Sequence, residues 1–338
     1  MSSSSSNKKV AVLFDLNFSP PEDHDYSEFI KSDDWRSERF VFKALEELGY
    51  EPFFLGVYDN LERLIHELRE REPAFVFNLT EAFNNRRDLA VQIVGVLELL
   101  NIPYTGTSSF GLSLCQDKGL SKKILAHHRI RVPKWVTSRH QKPLRGLKAF
   151  KYPAFVKPAR EEASEGISRD SFVENEKDCL ERVRYLHDRF NSDVMIEEFI
   201  PGREFYVSAL GGKRLQIFPI RELCFREFPE DTPKFATFKT KWDEDYRKKW
   251  GIRNEFARGI TEEQIEVMSE MCKKAFEFLH LRAFARFDLR LSETGEIVML
   301  EANPNPSLAT WDDFVMSAEK GGVEFTDLIG KIVDLSLD

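Results

Sequence analysis

Asp288, Glu301 and Asn303 are the residues from which this chain's chemistry can first be argued. Two alternating runs, Arg286-Phe287-Asp288-Leu289-Arg290-Leu291 and Ile297-Val298-Met299-Leu300-Glu301-Ala302-Asn303, flank Thr294-Gly295. That pattern predicts a β-hairpin with its turn on the Thr-Gly pair. The register then sets Phe287 opposite Ala302, Leu289 opposite Leu300 and Leu291 opposite Val298, an apolar side. The other side pairs Arg286 with Asn303 and Asp288 with Glu301. Like charges directly opposite on a sheet stand about 5 Å apart at Cβ and repel. A divalent cation would resolve that conflict, because carboxylate and amide oxygens suit Mg²⁺ bridging phosphates. Asp288, Glu301 and Asn303 are therefore candidate metal ligands, and Arg286 a candidate for stabilising an oxyanion. A solvated hairpin face screened by Arg286 and Arg290 is the alternative from this segment alone.

Several lysines matter once phosphates are in play. Lys157 ends an apolar run and enters a loop, 159–166, with small residues Ala163, Ser164 and Gly166. Backbone N–H groups of such a loop could cover phosphates. Lys118 opens a helical stretch, and Lys241 lies in a polar, basic stretch from Glu227 to Arg258 with little periodicity that is expected to include a long loop, of the kind that often forms a lid over a site. Glu197-Glu198-Phe199-Ile200 leaves a strand with backbone groups free for a purine edge. Competing chemistries lack their patterns. There is no GxGxxG or Walker loop, no HxxxH or HxH zinc spacing and no GxSxG elbow.

The elements that must carry these residues alternate in type. Val10–Phe14, 51–55 and 74–78 read as strands, and 35–48, 61–69 and 89–100 as helices, which predicts a doubly wound parallel sheet. Val41, Leu45 and Leu48 form the inward stripe of the first helix. Further on, 118–129 and 176–190 read as helices, 153–158 and 193–200 as strands. Thr261-x-x-Gln264 is a capping box for a helix to Leu279, with Ile265, Met268, Cys272, Phe276 and Leu279 as its stripe.

Composition bounds the rest. In 338 residues there are 49 Lys+Arg against 57 Asp+Glu, a net charge of −8, which argues against nucleic-acid binding. Cys115, Cys179, Cys224 and Cys272 are far apart and read as reduced thiols. With no signal-peptide pattern and no long apolar run, a cytoplasmic location without membrane contact is expected.

Together these segments resemble the ATP-grasp superfamily, in its D-alanine–D-alanine ligase-like branch. The matching pieces are Ile102-Pro103-Tyr104-Thr105-Gly106-Thr107, Asp117-Lys118 with Lys122, Phe155-Val156-Lys157-Pro158-Ala159-Arg160-Glu161 and Ile196 to Phe205. Thr240-Lys241-Trp242, Arg286-Phe287-Asp288 and Leu300-Glu301-Ala302-Asn303-Pro304 complete the ordered set. The resemblance implies an α/β plus α+β architecture: a flexible tail (1–7), a biotin-carboxylase-like N-terminal α/β substrate domain (8–116), a central lobe (117–205) and a C-terminal lobe with the metal site (206–338). The two lobes would clasp ATP. Carried over by position, Lys118, Lys157 and Ser164 look like phosphate contacts, Glu197 to Ile200 the adenine hinge, and Glu204 the ribose acid. Lys241 looks like the lid lysine, Asp288, Glu301 and Asn303 the ligands of Mg²⁺ (with Mn²⁺ as a substitute), and Arg286 the arginine for the tetrahedral intermediate. The implied reaction joins a small-molecule carboxylate to an amine through an acyl phosphate, releasing ADP and phosphate. The family also suggests a homodimer.

Departures from the family fall at the substrate end. Its glycine-rich first loop is replaced by Asp15 to Pro21, its His-Gly segment by Asn78 to Arg87, and its paired serines by Ala163-Ser164. Trp311-Asp312-Asp313 stands where a small hydroxyl residue is expected. Glu81, Arg87 and Asp312 are the candidate substrate contacts. Three readings follow: a carboxylate–amine ligase, a D-alanine–D-alanine ligase with an altered pocket, and a non-catalytic nucleotide-binding sensor or scaffold.

Overall fold

The computed structural model describes residues 8–23, 25–144, 147, 150–161, 164–212, 214–230 and 232–338; the serine tract, His24 and Ala163 fall outside them. Chain order begins β1 (Lys9–Asp15), α1 (Arg36–Glu47), β2 (Glu51–Val57), α2 (Leu61–Arg71), β3 (Phe75–Asn78), α3 (Ala90–Leu99), α4 (Ser109–Gln116) and α5 (Lys118–His127). The three strands form a parallel sheet in the order β2-β1-β3. Because β1 is buried on both faces, its apolar run needs no polar alternation. Val10 and Val12 pack towards Val41 and Leu45 of α1, whereas Ala11 and Leu13 pack towards Leu64 and Leu68 of α2 and Ile93 of α3. Helices on both faces make this sheet doubly wound, as expected. Leu48 is not part of the buried stripe; it is exposed just past the helix end.

Next come β4 (Trp135–Ser138), β5 (Ala154–Pro158), β6 (Phe172–Val173), α6 (Glu176–Phe190) and β7 (Val194–Glu198). The strands form an antiparallel sheet, β4-β7-β5-β6, with α6 packing Cys179, Val183 and Leu186 against it. The last part comprises β8 (Gly202–Gly211), β9 (Leu215–Ile217), β10 (Arg221–Phe225), α7 (Phe238–Trp242), α8 (Glu244–Lys249), β11 (Ile252–Phe256), α9 (Glu262–Phe278), β12 (Ala283–Ser292), β13 (Ile297–Pro304), α10 (Asp313–Lys320) and α11 (Phe325–Leu337). Its antiparallel sheet runs β11-β10-β8-β12-β13, with β9 on β8. Since β8 pairs from Gly202 onwards with β12, it joins this sheet across residue 205. The stretch from Glu227 to Arg258 includes, as expected, an irregular segment ahead of α7, and it also carries α7, α8 and β11.

The capping box of α9 is present, Thr261 accepting from the Gln264 N–H and Gln264 reaching back to the Thr261 N–H. Met268, Cys272 and Phe276 bury against Phe205, Val207, Phe287 and Leu289, while Ile265 lies too near the start and stays exposed. The opposite face of the same strands presents Glu204, Tyr206, Arg286, Asp288 and Arg290, the period-2 alternation that places a polar cleft behind an apolar core.

Candidate functional site

The β12–β13 hairpin pairs Arg286 with Asn303, Phe287 with Ala302 and Asp288 with Glu301, as the alternation predicts. Beyond that point the ladder slips by one. Leu289 faces Met299 rather than Leu300, and Leu291 faces Ile297 rather than Val298. Leu300 is the extra residue of a β-bulge, a feature that re-aims neighbouring side chains. Asp288, Glu301 and Asn303 all line one cleft with about 830 Å³ of open space. Arg286 binds Asp288 through two contacts, Nε–Oδ1 at 2.9 Å and Nη2–Oδ2 at 3.2 Å. Burial opposes that guanidinium's charge, but Asp288 more than compensates and holds it protonated.

Three lysines meet these acids. Lys118 Nζ lies 3.0 Å from Glu301 and donates to the Glu161 carbonyl at 2.8 Å. Burial alone would raise the Glu301 carboxyl; Lys118 and Lys157 override it and hold it at about 2. Lys157, at the end of β5, lies 3.0 Å from Glu197 Oε2, and Lys122 lies 3.1 Å from Glu197 Oε1. All three side chains are almost wholly buried. Desolvation pushes the Lys122 ammonium down to about 8 against the pull of Glu197, whose own carboxyl is lowered by the two lysines despite its burial. Lys241, carried on α7, lines the cleft with Lys118 and Lys157.

The cleft also has an aromatic lining. Phe155, Phe199 and Phe235 line it with Ile200, their ring centroids 5.0 Å (Phe155–Phe235) and 6.0 Å (Phe199–Phe235) apart. Glu198 and Glu204 complete the wall. Glu198 is held by Arg131 at 3.1 Å, and Glu204 by Arg290 at 3.1 Å and the Tyr206 hydroxyl at 3.2 Å. Ser164 also lines the cleft. The nine ATP-site candidates and the three metal candidates thus share one cavity. A slot of aromatic rings leading to three ammonium groups suits a purine nucleotide with its phosphates.

The metal candidates are two carboxylates and an amide. No group of three or more His, Cys, Asp or Glu among the described residues is placed to share an ion. The Asn303 amide nitrogen is buried without a hydrogen-bond partner, an orphaned polar atom in the cleft wall. The set fits a hard cation whose remaining ligands are phosphate oxygens, in the manner of Mg²⁺ sites.

The substrate candidates lie at the carboxyl ends of β1 and β3, the crevice where doubly wound sheets bind ligands. Arg87 Nη1 donates to Glu81 Oε2 at 3.2 Å, and the Glu81 N–H donates to Asp15 Oδ1 at 2.6 Å. Burial, then repulsion from Asp15 and Asp312, raises the Glu81 carboxyl against the pull of Arg87. Burial likewise raises Asp312, at the start of α10. Asp15 and Glu38 belong to the same group. The Glu38 carboxyl is pushed to about 7 by burial and by its neighbours Asp15 and Glu81, and its Oε2 has no partner. Glu38 carries no motif in the sequence. Lys122 does carry a signal, the four-residue spacing from Lys118 that puts both on one helix face.

Residues 105–334 match the protein-family model "D-ala D-ala ligase C-terminus". A D-alanine–D-alanine ligase from Aquifex aeolicus is 30% identical over 299 residues, covering 88% of this chain and 94% of that protein. Another, from Desulforudis audaxviator, is 31% identical over 307 residues, covering 89% and 92%. Among solved structures, the D-alanine–D-alanine ligase of Bacillus anthracis complexed with ATP aligns with a TM-score of 0.74 at 20% identity. That alignment covers 98% of this chain and 97% of that one and shows a shared fold.

Proposed function

The chain belongs to the D-alanine–D-alanine ligase family, and from that premise we propose that it is an ATP- and Mg²⁺-dependent carboxylate–amine ligase of the ATP-grasp type. One observation supports this above all: Lys118, Lys157, Lys241, Asp288, Glu301 and Asn303 line a single cleft together with Phe155, Phe199 and Phe235. A carboxylate is a poor acyl donor. Phosphorylation by ATP supplies a leaving group, and an amine then displaces phosphate to give an amide, ADP and phosphate. Lys118, Lys157 and Lys241 offset the charge that opposes attack of one anion on another. Phe155, Phe199 and Phe235 hold the purine, and Glu204 accepts from the ribose. Asp288, Glu301 and Asn303 would hold Mg²⁺, which when bound neutralises phosphate oxygens. Arg286, beside Asp288, stabilises the oxyanion that forms as the amine attacks.

The central lobe, expected over 117–205, ends in this reading at Gly202, where β8 enters the C-terminal sheet, with 8–116 supplying the substrate end through Glu81 and Arg87, and Asp312 reaching it from the C-terminal lobe. The names of the relatives favour a second reading, ligation of two D-alanines. Asp312, in the stretch where the family pattern has a small hydroxyl residue, weighs against it, because an ionised aspartate there would repel the free carboxylate of an amino-acid acceptor. A phosphate-release screen over pairs of carboxylates and amines, with ATP and Mg²⁺, tests the proposal and includes D-alanine as one well. Release only when both substrates are present, and lost in Glu301→Ala, is expected. ATP bound but never hydrolysed across the panel would favour a sensor or scaffold instead.

A further inference from the structure

Lys122 lies outside the wall of the cleft, yet it touches both halves of it. Asp117 caps α5 by accepting from the Leu120 N–H, so Lys118 and Lys122 sit one turn apart on the same face. Lys118 reaches the cavity; Lys122 does not line it and is only 1% exposed. Its ammonium donates to the Leu300 carbonyl at 2.6 Å and pairs with Glu197 Oε1 at 3.1 Å. Glu197 belongs to β7 of the central sheet and, through its other oxygen, holds Lys157 at 3.0 Å. Leu300 belongs to β13 of the C-terminal sheet, where it is the bulge residue directly before Glu301.

A buried ammonium is costly, and well-packed apolar residues of similar volume often serve stability as well or better. Its place at this junction is better explained by what it aligns. Resting on the nucleotide reading of the cleft, we infer that Lys122 is a positioning residue that pins the central sheet to the C-terminal sheet. It sets the separation between the phosphate-facing Lys157 and the cation-facing Glu301. Glu197 transmits the pin to one side and the Leu300 carbonyl to the other. Lys122 itself touches neither nucleotide nor metal.

The test is calorimetric binding to the full-length protein, which requires no knowledge of the acid or amine. Two probes are used: a non-hydrolysable ATP analogue with Mg²⁺, and adenosine, which lacks the phosphates. Lys122→Met is expected to weaken the Mg²⁺–analogue complex about tenfold, the range seen when outer partners of metal ligands are removed, while adenosine affinity stays within about twofold of wild type. Lys122→Gln, which can still donate to the Leu300 carbonyl, is expected to fall between, and it supplies the readout if the methionine variant does not fold. Equal analogue binding by wild type and the folded variants, or equal loss of both probes, overturns the positioning role. Failure of the wild type to bind the analogue at all overturns instead the nucleotide reading beneath it.

Discussion

Asp288 and Glu301 face each other across the hairpin, yet each already has a cation of the chain's own. Arg286 lies 2.9 Å from the aspartate and Lys118 lies 3.0 Å from the glutamate. Repulsion alone therefore does not demand an ion; the case for Mg²⁺ rests on the cleft that these acids share with the lysines. The carboxylates at the substrate end are less well compensated. Glu38 titrates at about 7 in the fold against 4.5 as the ordinary value, because burial and then Asp15 and Glu81 disfavour its charge. Its folded pKa is raised, so its contribution to stability is complete below the ordinary value and is lost as pH rises through about 7. Glu38→Gln removes that dependence. Relative to the variant, the wild type should lose about 1–2 kcal/mol between about pH 5 and about pH 8, a value discounted for its partial exposure. Denaturant titrations at the two pH values check this, and a pH-independent difference would refute it. Residue types at fixed spacing made the hairpin acids legible in sequence. Glu38 was not, because only the packing of α1 on the folded sheet carries it to Asp15.

At the scale of elements, periodicity placed the strands and helices that carry the site and failed where a pattern met a boundary. Leu48 and Ile265 match their helices' periods but lie at the ends, beyond the surface being covered. The β13 bulge was invisible for a different reason. An alternating run looks the same with or without one unpaired residue, and the slip after Asp288 depends on how the ladder packs. The basic stretch holding Lys241 showed no amphipathic period because α7 and α8 span only 238–242 and 244–249. The cap of α9 was fully legible and is energetically separable from the cleft, since that helix covers the sheet's other face. Thr261→Ala should cost about 1 kcal/mol. Thermal unfolding should shift down by roughly 2 °C with nucleotide affinity unchanged. A matching loss of affinity would mean that α9 is coupled to the cleft.

At the scale of the molecule, the N-terminal sheet does not stand alone. One of its faces is closed by α1 and also by the chain's last helices. Val10, Val12, Phe75 and Phe77 share a core with Phe284, Phe314, Val315, Ile329 and Ile332. Dividing the chain by residue number hides this closure, which no local pattern reveals because the partners are more than two hundred residues apart. Phe314→Ala, at a site 1% exposed, should cost about 3–5 kcal/mol. It should also speed hydrogen exchange in α1 and β1 as well as in α10; faster exchange confined to α10 would contradict the shared core. The same closure brings Glu81 and Asp312 near enough for their charges to interact, and in the proposed function acid activation and then amine attack take place at that substrate end. Oxygen-18 tracing reports on that sequence of events most directly. With a carboxylate substrate labelled in both oxygens, each amide formed should send one labelled oxygen into the released phosphate, with none transferred when ATP is omitted. Amide formation accompanied by unlabelled phosphate would contradict the acyl-phosphate account.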